Sequence, residues 1–245
     1  MFIPIADDNS DRTIQPYVNY ILIGLNVLVW ILLQGMSGDS SFTFSYATVP
    51  AEIIKGQDII SEAQRITDPN TGHVFLIPGL GPTNIPVYFT LLTSMFMHGS
   101  WVHLGGNMLY LWIFGDNIEN RLGHRKYLIF YLICGIIASL SHVFSTMIST
   151  QNSLVPSLGA SGAISGVLGG YLLLFPSRKV KMFVIRGIME VPSFVALGFW
   201  IVLQVVSGLG LLGGEGAGGV AYAAHIGGFI AGLLLIKFFD PLKRK

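Results

Sequence analysis

Three polar side chains stand in stretches of the sequence that are otherwise apolar: Asn107 in "HLGGNM", Ser161 in "GASG" and His225 in "AHIGG". A serine hydroxyl becomes a useful nucleophile only when a base takes its proton, and histidine has a pKa suited to that task near neutral pH. An amide can donate hydrogen bonds to a reacting oxygen. These residue types therefore suit acyl transfer, with Ser161 as the nucleophile and His225 as the base.

The segments that carry these residues predict an all-α, polytopic membrane protein. Hydrophobic residues make up 52% of the chain and charged residues 11%, and the mean hydropathy is +0.64. A hydrocarbon core of about 30 Å needs roughly 20 apolar residues in a helix. Six runs approach or reach that length, and a long outer loop, 35–100, separates the first two: roughly 17–34, 101–118, 127–148, 154–175, 188–211 and 218–239.

The basic residues divide between the two sides of these six predicted spans. Twelve of the fourteen Lys and Arg fall on one side, and only Lys55 and Arg65 fall on the other. By the positive-inside rule, both termini are expected in the cytoplasm. The acidic start of the chain does not resemble the basic start of a signal peptide, so we expect the first span to be retained. The chain then divides into a cytoplasmic arm, a membrane domain and a cytoplasmic basic tail: 1–16, 17–239 and 240–245.

The three polar residues are predicted at one depth in the membrane. Asn107 is about six residues from the outer end of the second span, and Ser161 and His225 are each about seven residues into theirs, or roughly 9 to 11 Å. His103 is four residues before Asn107 and shares its helix face. Taken singly, Ser161 and Asn107 are more simply explained as helix-packing residues. Their common depth with His225 favours a catalytic site.

Small residues recur at spacing four on the predicted fourth and sixth spans. Such spacing lets two membrane helices approach closely, so we expect these two spans to pack against each other. Ser161 and His225 each stand next to one of the two stripes, which are Gly162, Gly166 and Gly170, and Ala224, Gly228 and Gly232.

Four motifs, in order and spacing, resemble the rhomboid family of intramembrane serine proteases: "HGSWVHLGGNM", "ENRLG", "GASG" and "AHIGGFIAG". The resemblance covers essentially all of the six-span region. It implies a Ser-His dyad formed by Ser161 and His225, and an oxyanion hole formed by His103, Asn107 and the Ser161 backbone N–H. It also implies that the substrates are transmembrane segments of other membrane proteins.

Two positions depart from the family pattern. Where many members have Trp-Arg before the second span, this chain has Phe89-Thr90, and where many have an aromatic residue four after the serine, it has Ser165. Tyr222, one turn before His225, is a candidate to support the imidazole ring instead.

No acid is expected near the predicted site, which indicates a dyad. Asp116 and Glu119 lie about 13 and 18 Å deeper than Asn107 by helical rise, and Glu190 is at the inner end of the fifth span. No zinc-binding His-Glu-x-x-His motif occurs, so no metal or other cofactor is expected.

The sequence therefore predicts an intramembrane serine endopeptidase in the lipid bilayer, in a bacterial inner membrane, with no nucleic-acid partner. Two alternatives stay open at this stage. One is a channel or transporter that uses the polar layer as a solute path, and the other is a scaffold that binds membrane proteins without cutting them. A transporter would more typically show paired intramembrane carboxylates or repeated halves, and the sequence has neither.

Overall fold

The computed structural model describes residues 3–67, 74–148, 153–185, 187–209 and 221–240. Helices dominate this part of the chain. They are α1 (Tyr17–Leu28, continued by a π-helical turn over Val29–Leu33), α2 (Ser41–Tyr46), α3 (Pro50–Lys55), α4 (Thr90–Thr93), α5 (Trp101–Leu122), α6 (His124–Ile148), α7 (Ser161–Leu174), α8 (Ser193–Gly208) and α9 (Tyr222–Phe239).

Each predicted span overlaps one long helix, but two of the predicted boundaries are wrong. The helix predicted over 154–175 begins at Ser161, because Pro156 and a positive φ of 123° at Gly159 interrupt the preceding segment. The helix predicted over 188–211 begins at Ser193, after a strand. The outer ends of the last two predicted spans, at 211 and 218, fall outside the described residues.

Within the described residues, two helices are long and apolar enough to cross a membrane, α6 and α9. Shorter apolar helical stretches lie at Tyr17–Leu33, Val87–Phe96, Ser161–Leu174 and Ser193–Gly208. The number of six membrane crossings therefore stays a prediction.

The expectation of an all-α fold missed two small antiparallel sheets. One is a three-stranded sheet in the order β1-β4-β5, from β1 (Ile3–Asp7), β4 (Lys179–Val184) and β5 (Gly187–Pro192), and the other is a hairpin of β2 (Gln64–Thr67) and β3 (Val74–Ile77) in the predicted outer loop. In β4, Val180 and Met182 are buried while Lys179 and Lys181 are exposed. This period of two is the signature of a half-buried strand, which the basic charge of the segment concealed.

The start of the chain forms a docked strand. β1 pairs with β4, and the Asp7 carboxylate accepts hydrogen bonds from the Tyr171 hydroxyl at 2.6 Å and the Asn117 amide at 2.7 Å. Burial raises the pKa of Asp7 to about 7. Nearby, Arg12 forms a 2.9 Å ion pair with Asp116. The arm is therefore fastened to α5 and α7 by hydrogen bonds and an ion pair as well as by strand pairing.

The "ENRLG" segment forms the tight connection from α5 to α6. The buried Glu119 carboxylate accepts the backbone N–H groups of Val18 at 3.0 Å and Asn19 at 2.7 Å, which caps the first turn of α1. Gly123, with a φ of 78°, ends α5, and α6 begins at the next residue. This segment thus holds the ends of three helices together.

Helix α7 lies at the centre of the bundle and packs against α9 through backbone contacts. A methyl group built on Gly232 would lie 1.9 Å from the Gly166 carbonyl oxygen, and one on Gly228 would lie 2.1 Å from the Gly162 carbonyl oxygen. On the other side of α7, a methyl group on Gly166 would lie 2.4 Å from Cβ of Cys134 in α6. No side chain fits between α7 and α9 at these positions, so the helices approach as closely as their backbones allow.

Replacing Gly232 with alanine should destabilise the bundle. The added methyl group meets a backbone carbonyl, so α7 and α9 must move apart, and overpacking of this kind costs about 1–3 kcal/mol. Thermal unfolding in one detergent should show a lower midpoint for Gly232→Ala. The control is Gly24→Ala in α1, where nothing lies within 4 Å of the new methyl group. There, removing a helical glycine should stabilise the protein by up to about 1 kcal/mol. Equal midpoints for the two variants would contradict the close packing.

Candidate active site

Ser161 and His225 face each other where α7 meets α9. The Ser161 hydroxyl lies 2.8 Å from Nε2 of the His225 imidazole. Ser161 is the first residue of α7, and His225 stands in the first turn of α9. The two residues are therefore not seven residues into their helices, as predicted from the sequence, because residues 154–160 are not helical and α9 begins at Tyr222. The two side chains nevertheless meet, because the glycine contacts bring the two helices together.

The turn before Ser161 is held by the segment between α1 and α5. Thr48 and Ser157 exchange two backbone hydrogen bonds, of 3.0 and 2.8 Å, and the Gly159 N–H donates to the Ser94 carbonyl at 2.9 Å. A methyl group on Gly159 would lie 2.8 Å from Cε1 of His103 and 3.7 Å from the Ser161 hydroxyl. Gly159 thus supplies both a positive φ and the space that lets the His103 ring lie beside the serine.

The far nitrogen of the His225 ring has a partner that the sequence analysis did not identify. Nδ1 lies 2.7 Å from the amide oxygen of Gln204 in α8. The rings of Trp200 and Tyr222 flank the imidazole, with centroid distances of 6.1 and 6.5 Å. The Ser165 hydroxyl, four residues after Ser161, donates to the Ser161 carbonyl at 2.6 Å.

Gln204 could have been found from the sequence. It is the one amide in α8, a helix that is apolar apart from Gln204 and two serines, and it lies seven residues before the predicted outer end of that span at 211. That distance is the same as the one that drew attention to Ser161 and His225. Depth was counted only on the spans predicted to begin at the outer side. A count from the outer end of every span would have included Gln204.

Asn107 is buried and is held by His98. Its side-chain nitrogen lies 2.9 Å from Nε2 of His98. Burial lowers the pKa of His98 to about 3, so this imidazole is neutral and has a single N–H. Because the amide nitrogen only donates, Nε2 of His98 accepts and its ring proton is on Nδ1. The second hydrogen of the Asn107 amide remains free to donate elsewhere.

His98 is in turn fixed by Gln34 at the end of α1. Gln34 donates to the His98 carbonyl at 2.8 Å and accepts the His98 backbone N–H at 2.8 Å. The His98 and His103 rings meet edge to face with centroids 5.0 Å apart. His98 begins the "HGSWVHLGGNM" motif, but its link to Asn107 was not visible from the sequence because it depends on the loop conformation before α5.

A cavity of about 740 Å³ opens onto these side chains. Helices α5, α7, α8 and α9 each contribute to its wall, and its lining includes His103, Asn107, Ser161, Trp200, Gln204 and His225. The N-terminus of α7 also faces this space at Ser161, and free backbone N–H groups and the helix dipole there favour negative charge. The cavity thus offers a hydroxyl, a base and hydrogen-bond donors to one bound group.

The acids considered in the sequence analysis are engaged elsewhere. Asp116 pairs with Arg12, Glu119 caps α1, and Glu190 pairs with Lys179 at 3.5 Å. Among the described residues, no group of three or more His, Cys, Asp or Glu could hold a metal ion.

Comparisons with known proteins agree with the motifs. A family model described as a Rhomboid domain matches residues 86–240, which is more than half of the chain. Rhomboid protein 1, mitochondrial, of Saccharomyces cerevisiae is 35% identical over 150 residues, which cover 59% of this chain and 40% of that protein. Rhomboid protease GluP of Bacillus subtilis is 29% identical over 127 residues, 52% of this chain and 20% of GluP.

A third relative is the human presenilin-associated rhomboid-like protein, mitochondrial, which is 32% identical over 105 residues. Those residues cover 36% of this chain and 27% of the human protein. The chain thus spans no more than 40% of the length of any of these three relatives.

Proposed function

The chain belongs to the rhomboid family, and on that premise we propose that it is an intramembrane serine endopeptidase that uses a dyad of Ser161 and His225. The observation that supports this most directly is the 2.8 Å distance between the Ser161 hydroxyl and Nε2 of His225 at the wall of a cavity. A serine used only for helix packing has no need of a histidine partner beside an open space.

The reaction follows from these positions. His225 takes the hydroxyl proton as Ser161 attacks the peptide carbonyl, and the resulting oxyanion is held by the Ser161 backbone N–H, the free Asn107 hydrogen and His103. The imidazolium then gives its proton to the leaving amine, and an acyl group remains on Ser161. Water, activated by His225, attacks this ester and releases the second product, which restores the serine. No metal or other cofactor takes part in this scheme.

The proposed substrates are transmembrane segments of other membrane proteins. The chain is itself a polytopic helical membrane protein, so its substrates approach within the bilayer. A helix hides its peptide carbonyls in internal hydrogen bonds and must unwind locally before Ser161 can attack one of them. Segments that contain Gly, Pro or polar residues near the outer end of the helix unwind most readily and are the expected targets.

We further propose six membrane crossings with both termini in the cytoplasm. The distribution of the Lys and Arg residues supports this topology. In it, the sheet of β1, β4 and β5 lies on the cytoplasmic side and the β2-β3 hairpin on the outer side. A bacterial inner membrane is the proposed location, although the relatives include mitochondrial and chloroplastic proteins as well as one from Bacillus subtilis.

Ser161→Ala and His225→Ala should each abolish cleavage of a labelled transmembrane substrate by the purified protein. Neither member of a dyad works without the other, so each loss should be on the order of 10⁴-fold or more. Cleavage is measured by product bands or fluorescence over the same time course for each variant. EDTA should leave the rate unchanged.

The matched control is Ser165→Ala, which removes a hydroxyl one turn further along α7. Its hydroxyl bonds a carbonyl rather than the histidine, so this variant should cleave within a few-fold of the wild-type rate. Substantial turnover by Ser161→Ala, with the melting temperature unchanged, would overturn the assignment of the nucleophile.

Asn107→Ala should lower kcat by about 10- to 1,000-fold with little change in KM. One oxyanion-hole donor typically contributes about 2.7–4 kcal/mol to the transition state. The loss should be at the smaller end, because His103 and the Ser161 N–H remain. Both kinetic constants and the melting temperature are measured on one preparation.

Asn26→Ala is the control for losing a buried amide. Asn26 lies in α1 and donates to the Leu22 carbonyl at 2.7 Å, so its loss should lower stability and spare kcat. If Asn107→Ala also lowers stability and spares kcat, the Asn107 amide serves in packing and is not an oxyanion-hole donor.

A further inference from the structure

The amide of Gln204 decides which nitrogen of His225 carries the proton. An amide oxygen accepts hydrogen bonds and cannot donate them. Because this oxygen lies 2.7 Å from Nδ1, the proton of the neutral imidazole must be on Nδ1. Nε2, 2.8 Å from the Ser161 hydroxyl, is then left with a lone pair that faces the hydroxyl proton. The two distances together describe a base that is ready to accept a proton from the serine.

We propose that Gln204 is a positioning residue for the base, which holds His225 in the tautomer that can take the Ser161 proton. This inference rests on the proposed function. When the proton moves from Ser161 to Nε2, the ring becomes a cation, and its Nδ1–H then donates to the partly negative amide oxygen. No proton passes to the amide. A neutral side chain thus does part of what a carboxylate does in a serine-histidine-aspartate triad.

The two aromatic rings beside the imidazole do not supply this selection. Trp200 and Tyr222 contact the imidazole through their rings, which limits its tilt but does not distinguish Nδ1 from Nε2. A Gln204 amide turned by half a rotation would donate its own hydrogen to Nδ1. The ring proton would then be on Nε2, and the nucleophile would face a donor instead of a base.

The hydrogen bond between His225 and Gln204 also links the base to α8. This helix has fewer buried residues than α5, α7 or α9, the other helices of the cavity wall. In α8, the buried positions are Ser193, Ala196 and Leu197, all in its first five residues. The remaining residues of α8, Gln204 among them, are half-buried or exposed. The acceptor for Nδ1 thus lies in the less buried part of α8.

Kinetics of two substitutions test the proposal. Gln204→Leu removes the acceptor, and it should lower kcat by about 10- to 100-fold while KM changes by less than about twofold, because the loss falls on proton transfer. Gln204→Glu restores an acceptor at the same position and should keep kcat within about threefold of the wild type. Ser207→Ala, three residues further along α8, is the control for losing a polar group from this helix and should leave both constants unchanged. A Gln204→Leu variant with a lowered melting temperature and normal kcat would overturn the proposal.

Nitrogen NMR of protein labelled with ¹⁵N-histidine gives a reading that does not depend on cleavage. The His225 signal is assigned by its absence from the His225→Ala spectrum. In the wild type it should show a protonated Nδ1 and a bare Nε2, and in Gln204→Leu the two tautomers should mix. A wild-type ring with its proton on Nε2 would overturn the inference. If the wild type cleaves no substrate, the proposed function fails, and the spectrum still decides the tautomer.

Discussion

The candidate site depends on the backbone contact between α7 and α9. Gly228 and Gly232 lie so close to the carbonyl oxygens of Gly162 and Gly166 that a single methyl group would not fit. Ser161 directly precedes Gly162, and His225 stands three residues before Gly228. The register of the glycines therefore sets the register of the serine and the histidine. With larger residues at the contact, the helices would stand further apart and a 2.8 Å hydrogen bond between them could not form.

Other polar groups hold in place the loops and side chains that surround the contact between α7 and α9. The segment between α1 and α5 holds the turn before Ser161, because Thr48 pairs with Ser157 and the Ser94 carbonyl accepts the Gly159 N–H. Gln34 holds His98, which holds Asn107. Hydrogen bonds join Gln34, His98 and Asn107 in sequence, which offsets part of the free energy lost when such groups leave water. The site is thus built on a rigid helix pair and supported by a folded loop, an arrangement suited to donors that must be in place before a charge develops.

The sequence predicted the helical bundle, and the polar side chains that line its cavity, better than it predicted the boundaries of the elements. Apolar runs and small residues at spacing four depend on local composition, and they located the long helices of the described residues and the glycine stripes of α7 and α9. The start of α7 at Ser161 depends on a glycine with positive φ and on hydrogen bonds to distant residues, which no local pattern contains. The strand β4 was hidden because its lysines suggested a loop, and β1 was hidden because its partner lies more than 170 residues away. Gln204 was visible but overlooked, since its helix was predicted to enter the membrane from the opposite side.

The central claim is that Ser161 is an activated nucleophile, and covalent labelling tests it most directly. A fluorophosphonate reacts when a serine oxygen attacks phosphorus, fluoride leaves, and the base takes the hydroxyl proton. The folded protein, incubated with this reagent in detergent and digested for mass spectrometry, should be modified at Ser161 alone, whereas the heat-unfolded protein should not be modified. A folded protein that remains unmodified at Ser161, or is modified at other serines instead, would contradict the account.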